Sequence, residues 1–188
     1  MASDSNSQPG AERRQPFFAD WPLPPYTFVP GHAPHPIRDP AGHSFGTEPE
    51  PASPLTADNW PHSRPYLRGF DLFNAGFYWE AHETWEGAWI ACGRRGTTAD
   101  FLKGLIKLAA AGVKLREQNR TGAHRHVRRA RELFSHVRAN ANDSPEFLGL
   151  SFDQLERAAT ALETAPSELP PTAPPTPLLP FTVVPIRT

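Results

Sequence analysis

Phe70-Asp-Leu-Phe-Asn-Ala-Gly-Phe-Tyr-Trp-Glu-Ala-His-Glu-Thr-Trp-Glu-Gly-Ala-Trp89 reads as the end of one helix, a glycine turn and the start of a second. Leu67, Phe70, Phe73 and Asn74 keep a three-four spacing ahead of Gly76. Phe77, Ala81, Trp85, Ala88 and Cys92 line one face after it. Such spacing is the mark of amphipathic helices, and a turn this short folds the pair into an antiparallel hairpin. The expected fold class is all-α: a compact bundle of antiparallel helical hairpins, about five helices in all.

Proline bounds that bundle. None of the 23 prolines falls between Pro65 and Pro145. Proline lacks a backbone donor and clashes inside a helix, so a proline-free window between proline-rich arms marks the helical domain, residues 62–163. Residues 1–16 are small and polar and read as a disordered tail. Residues 17–61 carry Phe17, Phe18, Trp21, Tyr26, Phe28 and Val29 among prolines. They read as an extended arm, partly polyproline II, that lays its aromatics on the core. Residues 164–188 form a second proline-rich tail. Its apolar end, Leu178 to Ile186, either docks as a strand-like strap or stays free.

Within the window, Thr97 with Asp100 resembles a capping box that opens a third helix, ending near Gln118. That helix is apolar nearly all round, which makes it the central one, and Gly104 and Gly112 leave room for close contact. Thr121 reads as the cap of a fourth helix ending near Ala139, and Ser151 with Gln154 opens a fifth that runs to Leu162. No segment has β character.

A net charge of −1 excludes a polycation that coats nucleic acid. The basic strip of the fourth helix (Arg125, Arg128, Arg129, Arg131, Arg138), opposed only by Glu132, reads as a solvated face. The single Cys92 excludes an intrachain disulfide and fits a reducing compartment. The first ten residues lack a leader-like apolar run, and Lys107 and Lys114 break the most apolar stretch. A cytoplasmic protein without membrane contact is expected.

The chemistry gathers on the second helix. His82 and Glu86 are one turn apart and can both ligate one divalent ion, with Glu83 and Glu80 further round. His82-Glu-Thr-Trp-Glu86 departs from the zincin pattern, because a Glu stands where the second His belongs. The remaining ligands are expected from the arm, where Gly31 to His43 holds His32, His35, Asp39 and His43 in a proline-stiffened loop. The expected site is a divalent metal ion on His82, Glu86 and Glu80, joined by His35 or His43. Glu83 serves as general base. Lys107 either orients a substrate anion or pairs with Glu83 or Glu86.

Phe73-Asn-Ala-Gly-Phe-Tyr-Trp-Glu-Ala-His-Glu-Thr-Trp-Glu86 resembles the Phe-Asn-x-Gly-x-Tyr-x-Glu-Ala-His-Glu-x-Trp-Glu signature of the domain-of-unknown-function-309 family. Phe101 to Ala110 resembles its second block, Asn119 to Ala123 its third, and Pro34 to His43 a run found in some members. Lys107 replaces a Gln common in the second block, and Gln118 stands in place of a Gly. The resemblance covers about residues 65–137 and implies an all-helical fold of packed hairpins. It carries the family's label of predicted metal-dependent hydrolase and points to Glu80, His82, Glu83 and Glu86.

Two functions follow. The first is a metal-dependent hydrolase of a small or phosphorylated substrate. The alternative is a non-enzymatic interaction module that binds a peptide or a second copy of the chain, with His82 and Glu86 as a buried polar clasp.

Overall fold

The computed structural model describes residues 15–48, 51–166, 170–171 and 173–186. The tail expected over residues 1–16 thus lies almost wholly outside the described residues. After a 3-10 turn at Trp60–His62 come α1 (Arg64–Asn74), α2 (Tyr78–Ala91), α3 (Thr97–Arg116) and α4 (Arg120–Asn140). A small hairpin, β1 (Glu146–Phe147) and β2 (Leu150–Ser151), then leads into α5 (Phe152–Thr164). The fold is all-α, as the periodicity predicts. Among the described residues no helix is long and apolar enough to cross a membrane.

The α1–α2 turn is tight because Gly76 takes φ +89°, a region open to glycine at little cost. The Phe77 N–H returns to the Leu72 carbonyl at 2.9 Å. α3 packs on α2, α4 and α5, which makes it the centre of the bundle. A Cβ on Gly104 would run into the Phe134 ring of α4, and one on Gly112 into the Tyr78 ring of α2. These two positions let both neighbours approach the α3 backbone. Gly69 does the same for α1: the Trp85 indole lies against it, and its N–H donates to the Tyr66 carbonyl at 3.0 Å.

Two expected caps are corrected. Thr97 is already helical, and Gly96, at φ +88°, is the N-cap with no side chain to offer. Thr121 is likewise inside its helix; the cap is Asn119, whose Oδ1 accepts from the Gly122 N–H at 2.8 Å. Ser151 does cap α5, accepting from the Gln154 N–H at 3.1 Å. The β hairpin is a further departure, with Leu148 and Gly149 at positive φ in its turn. Two-residue strands give no measurable alternation, so sequence patterning misses them. The Tyr66 hydroxyl holds the hairpin to α1 by donating to the Leu148 carbonyl at 2.8 Å.

The C-terminal segment takes the strap alternative. The Tyr78 hydroxyl accepts from the Leu178 N–H at 2.6 Å, and buried Arg116 donates to the Thr176 carbonyl at 2.8 Å. The Asn74 amide grips Val183 on both sides, accepting from its N–H and donating to its carbonyl, each at 2.8 Å. The Gln154 side-chain amide also faces the strap: with its oxygen turned to the Val184 N–H it accepts there at 3.1 Å and donates to the Val184 carbonyl at 3.3 Å. Side-chain amides thus replace a partner strand for an isolated extended segment, and the segment's own Leu179, Val183 and Val184 are buried.

Asn74→Ala removes both bonds to Val183. An unfolding free energy lower by about 1–3 kcal/mol is expected, with loss of hydrogen-exchange protection at the Val183 amide. Retained protection there would show that the strap does not depend on this clamp.

Candidate functional site

α2 presents two polar stripes. Glu80 and Glu83, three residues apart, face the arm. His82 and Glu86, four apart, lie on the stripe that continues to Trp89, over whose ring Lys103 of α3 sits with its Nζ 4.9 Å from the centroid.

Glu80 is the most deeply placed of these carboxylates, at 6% exposure. Oε1 accepts from the Phe28 N–H at 2.8 Å, and Oε2 accepts from the Thr27 hydroxyl at 2.9 Å. His43 Nε2 donates to Oε1 at 3.3 Å, in a tautomer whose Nδ1 accepts from the Ser44 hydroxyl at 2.9 Å. Burial raises the Glu80 pKa even though these donors favour the charged form. His35 lies nearby, packed on Phe28 and Trp79 with ring centroids 5.0 and 5.4 Å away. Its Nδ1 accepts from the backbone N–H groups of Ile37 and Arg38, each at 3.3 Å. Glu80, His43 and His35, all expected as metal ligands, are therefore engaged in fastening the arm to α2.

His82, Glu83 and Glu86 come together instead. One ligand atom from each lies within 4.8 Å of the others, and all three residues are half-buried. Donors around one ion at about 2.1 Å are at most about 4.2 Å apart, so small rotations of flexible Glu side chains close the set. Among the described residues none of these three side chains has a hydrogen bond or ion pair, and neither has Lys107. The expected pairing of Lys107 with Glu83 or Glu86 does not form, and His82 does not bond Glu86.

The electrostatics tie further groups to this cluster. Burial lowers the His82 pKa; Glu86 opposes the shift and Lys107 adds to it, so the imidazole is neutral at pH 7. Glu83 is pushed up to about 7 by burial and by Glu86, against the pull of Arg38. Burial, then Lys103 and Arg129, lower the Lys107 pKa, with Glu86 opposing. His126 of α4 is lowered by burial and then by Lys107, Lys114 and His82. His126 and Arg38 are the participants that sequence reasoning passed over. A signal for His126 existed: it borders the inward stripe of Ala123, Val127 and Ala130.

The basic strip of α4 is opposed by more than Glu132. Arg131 bridges to Glu156 and Glu163 of α5 at 2.8 and 2.9 Å, a correction that only the packing of α4 on α5 supplies. Two clefts elsewhere contain none of the α2 cluster: one of about 380 Å³ beside Trp60 and Phe147, one of about 330 Å³ beside Phe17 and Asp71. In the second, the arm already engages both charged groups. Asp71 accepts from the Phe17 and Phe18 N–H groups, and Arg68 donates to the Trp21 and Pro22 carbonyls.

An all-helical domain with a His/Glu group on its second helix is thus defined. Residues 66–126 match the family model of DUF309, a domain of unknown function. No curated protein matches the chain.

Glu80→Ala leaves the Phe28 N–H and the Thr27 hydroxyl without their buried acceptor. A loss of about 2–4 kcal/mol is expected, with faster proteolysis between Phe28 and His43. An arm as resistant as the parent's would show that its ring contacts suffice. Glu83 gives a pH signature in the metal-free protein. Its folded pKa is raised from 4.5 to about 7, so the folded state binds more protons between those values and stability falls as pH rises through them. Glu83→Gln lacks this loss. It should be more stable than the parent above pH 7, with the difference gone below pH 4.5. Parallel stability curves would refute the shift.

Proposed function

We propose that His82, Glu83 and Glu86 hold one divalent cation and that the domain is a metal-dependent hydrolase. The observation that carries this reading is a contrast in hydrogen bonding. Buried Asp71, Glu80, Arg68 and Arg116 all have protein partners. Half-buried His82, Glu83 and Glu86, drawn together on one helix face, have none among the described residues. Ionisable groups partly withdrawn from water require compensation, and a cation compensates two carboxylates and a neutral imidazole at once.

A bound divalent ion supplies Lewis acidity and an activated water at neutral pH. His82, neutral at pH 7, offers a ring lone pair, while Glu83 and Glu86 supply the negative charge. Three protein ligands leave coordination positions open, as catalytic sites require. With Glu83 serving as a ligand, the base role expected of it passes to His126. That imidazole is held neutral by burial and by the lysines around it, and lies within electrostatic reach of His82.

The interaction-module alternative assigned a polar clasp to His82 and Glu86. A clasp of that chemistry exists at Glu80, Thr27 and His43, and its partner is the chain's own arm.

Elemental analysis of the tag-free protein beside His82→Ala tests the proposal. Near-stoichiometric manganese, iron or zinc in the parent, lost from the variant while its melting temperature holds, is expected. Metal absent from both after reconstitution, or retained in full by the variant, overturns it.

A further inference from the structure

Arg116 stands at the C-terminal end of α3 with 1% of its surface exposed. No carboxylate pairs with it among the described residues. Arg68, the other buried arginine among them, has Asp71 one turn away on α1. The adjacent Glu117 is committed to Lys114 at 2.6 Å. Arginine keeps its proton in proteins, so Arg116 is a buried cation without a counter-charge, an unfavourable state. Its Nε–H is also out of solvent and has no acceptor.

Only neutral oxygens meet this guanidinium, and all belong to one stretch of the strap. Nη2 donates to the Thr176 carbonyl at 2.8 Å and to the Thr176 hydroxyl at 3.1 Å, and both Nη groups reach the Pro174 carbonyl at 3.4 Å. Among the described residues, Arg116 makes every hydrogen bond that the helices give to residues 173–177. Pro174, Pro175 and Pro177 have no N–H to offer, and Pro174 and Thr176 are exposed on their outer side. Residues 173–177 are thus a cover one chain thick over a buried charge. The strap beyond them has its own anchors: Tyr78 at Leu178, Asn74 at Val183, and the Gly149 carbonyl, which accepts from the Ile186 N–H at 2.7 Å. The cover can therefore lift while the rest stays docked. The Thr176 backbone lies directly on Gly76, where a Cβ would come within 2.6 Å of the carbonyl oxygen, so the space it fills suits a flat, carbonyl-sized group. We infer that Arg116 is a binding site for a small organic carboxylate, with residues 173–177 as its lid and the Thr176 and Pro174 carbonyls standing in for the ligand's oxygens. A carboxylate matches the guanidinium fork with two parallel bonds, gives the Nε–H an acceptor and neutralises the charge.

Acetate is the probe. It is titrated into the full chain, with ionic strength held constant by sodium chloride, for the parent, Arg116→Gln and Thr176→Ala. Binding is read by NMR saturation transfer from protein to the acetate methyl, and in the parent and Thr176→Ala also by the Arg116 Nε–H resonance. In the parent that resonance should move downfield as the N–H gains an acceptor, while the Val183 amide keeps its hydrogen-exchange protection. Arg116→Gln should not bind acetate. Thr176→Ala removes one bond that holds the lid shut, so a larger open fraction should make acetate bind about three- to tenfold tighter. Thr176 is exposed, so this variant keeps the test valid if Arg116→Gln does not fold. The inference is overturned if acetate binds neither the parent nor Thr176→Ala, leaves the Nε–H resonance unmoved, binds Arg116→Gln as well as the parent, or binds Thr176→Ala no tighter.

Discussion

The buried Glu80 carboxylate is the constraint on which the arrangement of this domain turns. A carboxylate taken out of water must have its lone pairs satisfied. The donors here are a backbone N–H, a hydroxyl and an imidazole, all from one stretch of arm, Thr27 to His43. Meeting that demand fixes the arm on α2 and commits His43 to Glu80. It also sets Phe28 and His35 on Trp79 and carries Arg38 to the flank of Glu83. One satisfied acid thus separates the carboxylates of α2 into a structural one and a pair left available.

The same helix owes its position to close packing on small residues. Trp85 lies on Gly69, Tyr78 on Gly112, and α3 admits Phe134 at Gly104. These contacts set the depth at which α2 rests between α1 and α3, and so leave His82 and Glu86 half-buried rather than fully solvated. Tyr78 serves twice: its ring packs on α3 and its hydroxyl accepts the first amide of the docked strap. A shift of α2 would therefore disturb the strap and the His/Glu group together.

Much of the helical frame was legible in the sequence. The proline-free window, Gly76 and the three-four spacing locate α1 to α5 to within a residue or two of their observed ends. The caps at Gly96 and Asn119 were not, because a Thr near a helix start satisfies the same pattern whether it is the cap or the first helical residue. The two-residue strands escaped because they are too short to alternate. At the α2 cluster, helical periodicity sufficed to make His82 and Glu86 neighbours, since both lie on one element with a known pitch. Glu83, three residues before Glu86, is brought beside it by the same pitch, and the structure adds that one ligand atom of each of the three lies within 4.8 Å of the others.

The sequence by itself determined the fold class, the hairpin order and the helix that carries the polar groups, since these depend on local periodicity and on turn residues. Only the tertiary structure decided which polar groups are engaged and which are not. His35, His43 and Glu80 differ from His82, Glu83 and Glu86 in nothing that residue type or spacing reveals. They differ in their partners, and partners such as Thr27 for Glu80 lie 53 positions away along the chain. Hydrogen bonding is satisfied in space, so its allocation among chemically equivalent side chains becomes visible only once the arm, α3 and α4 are packed around α2.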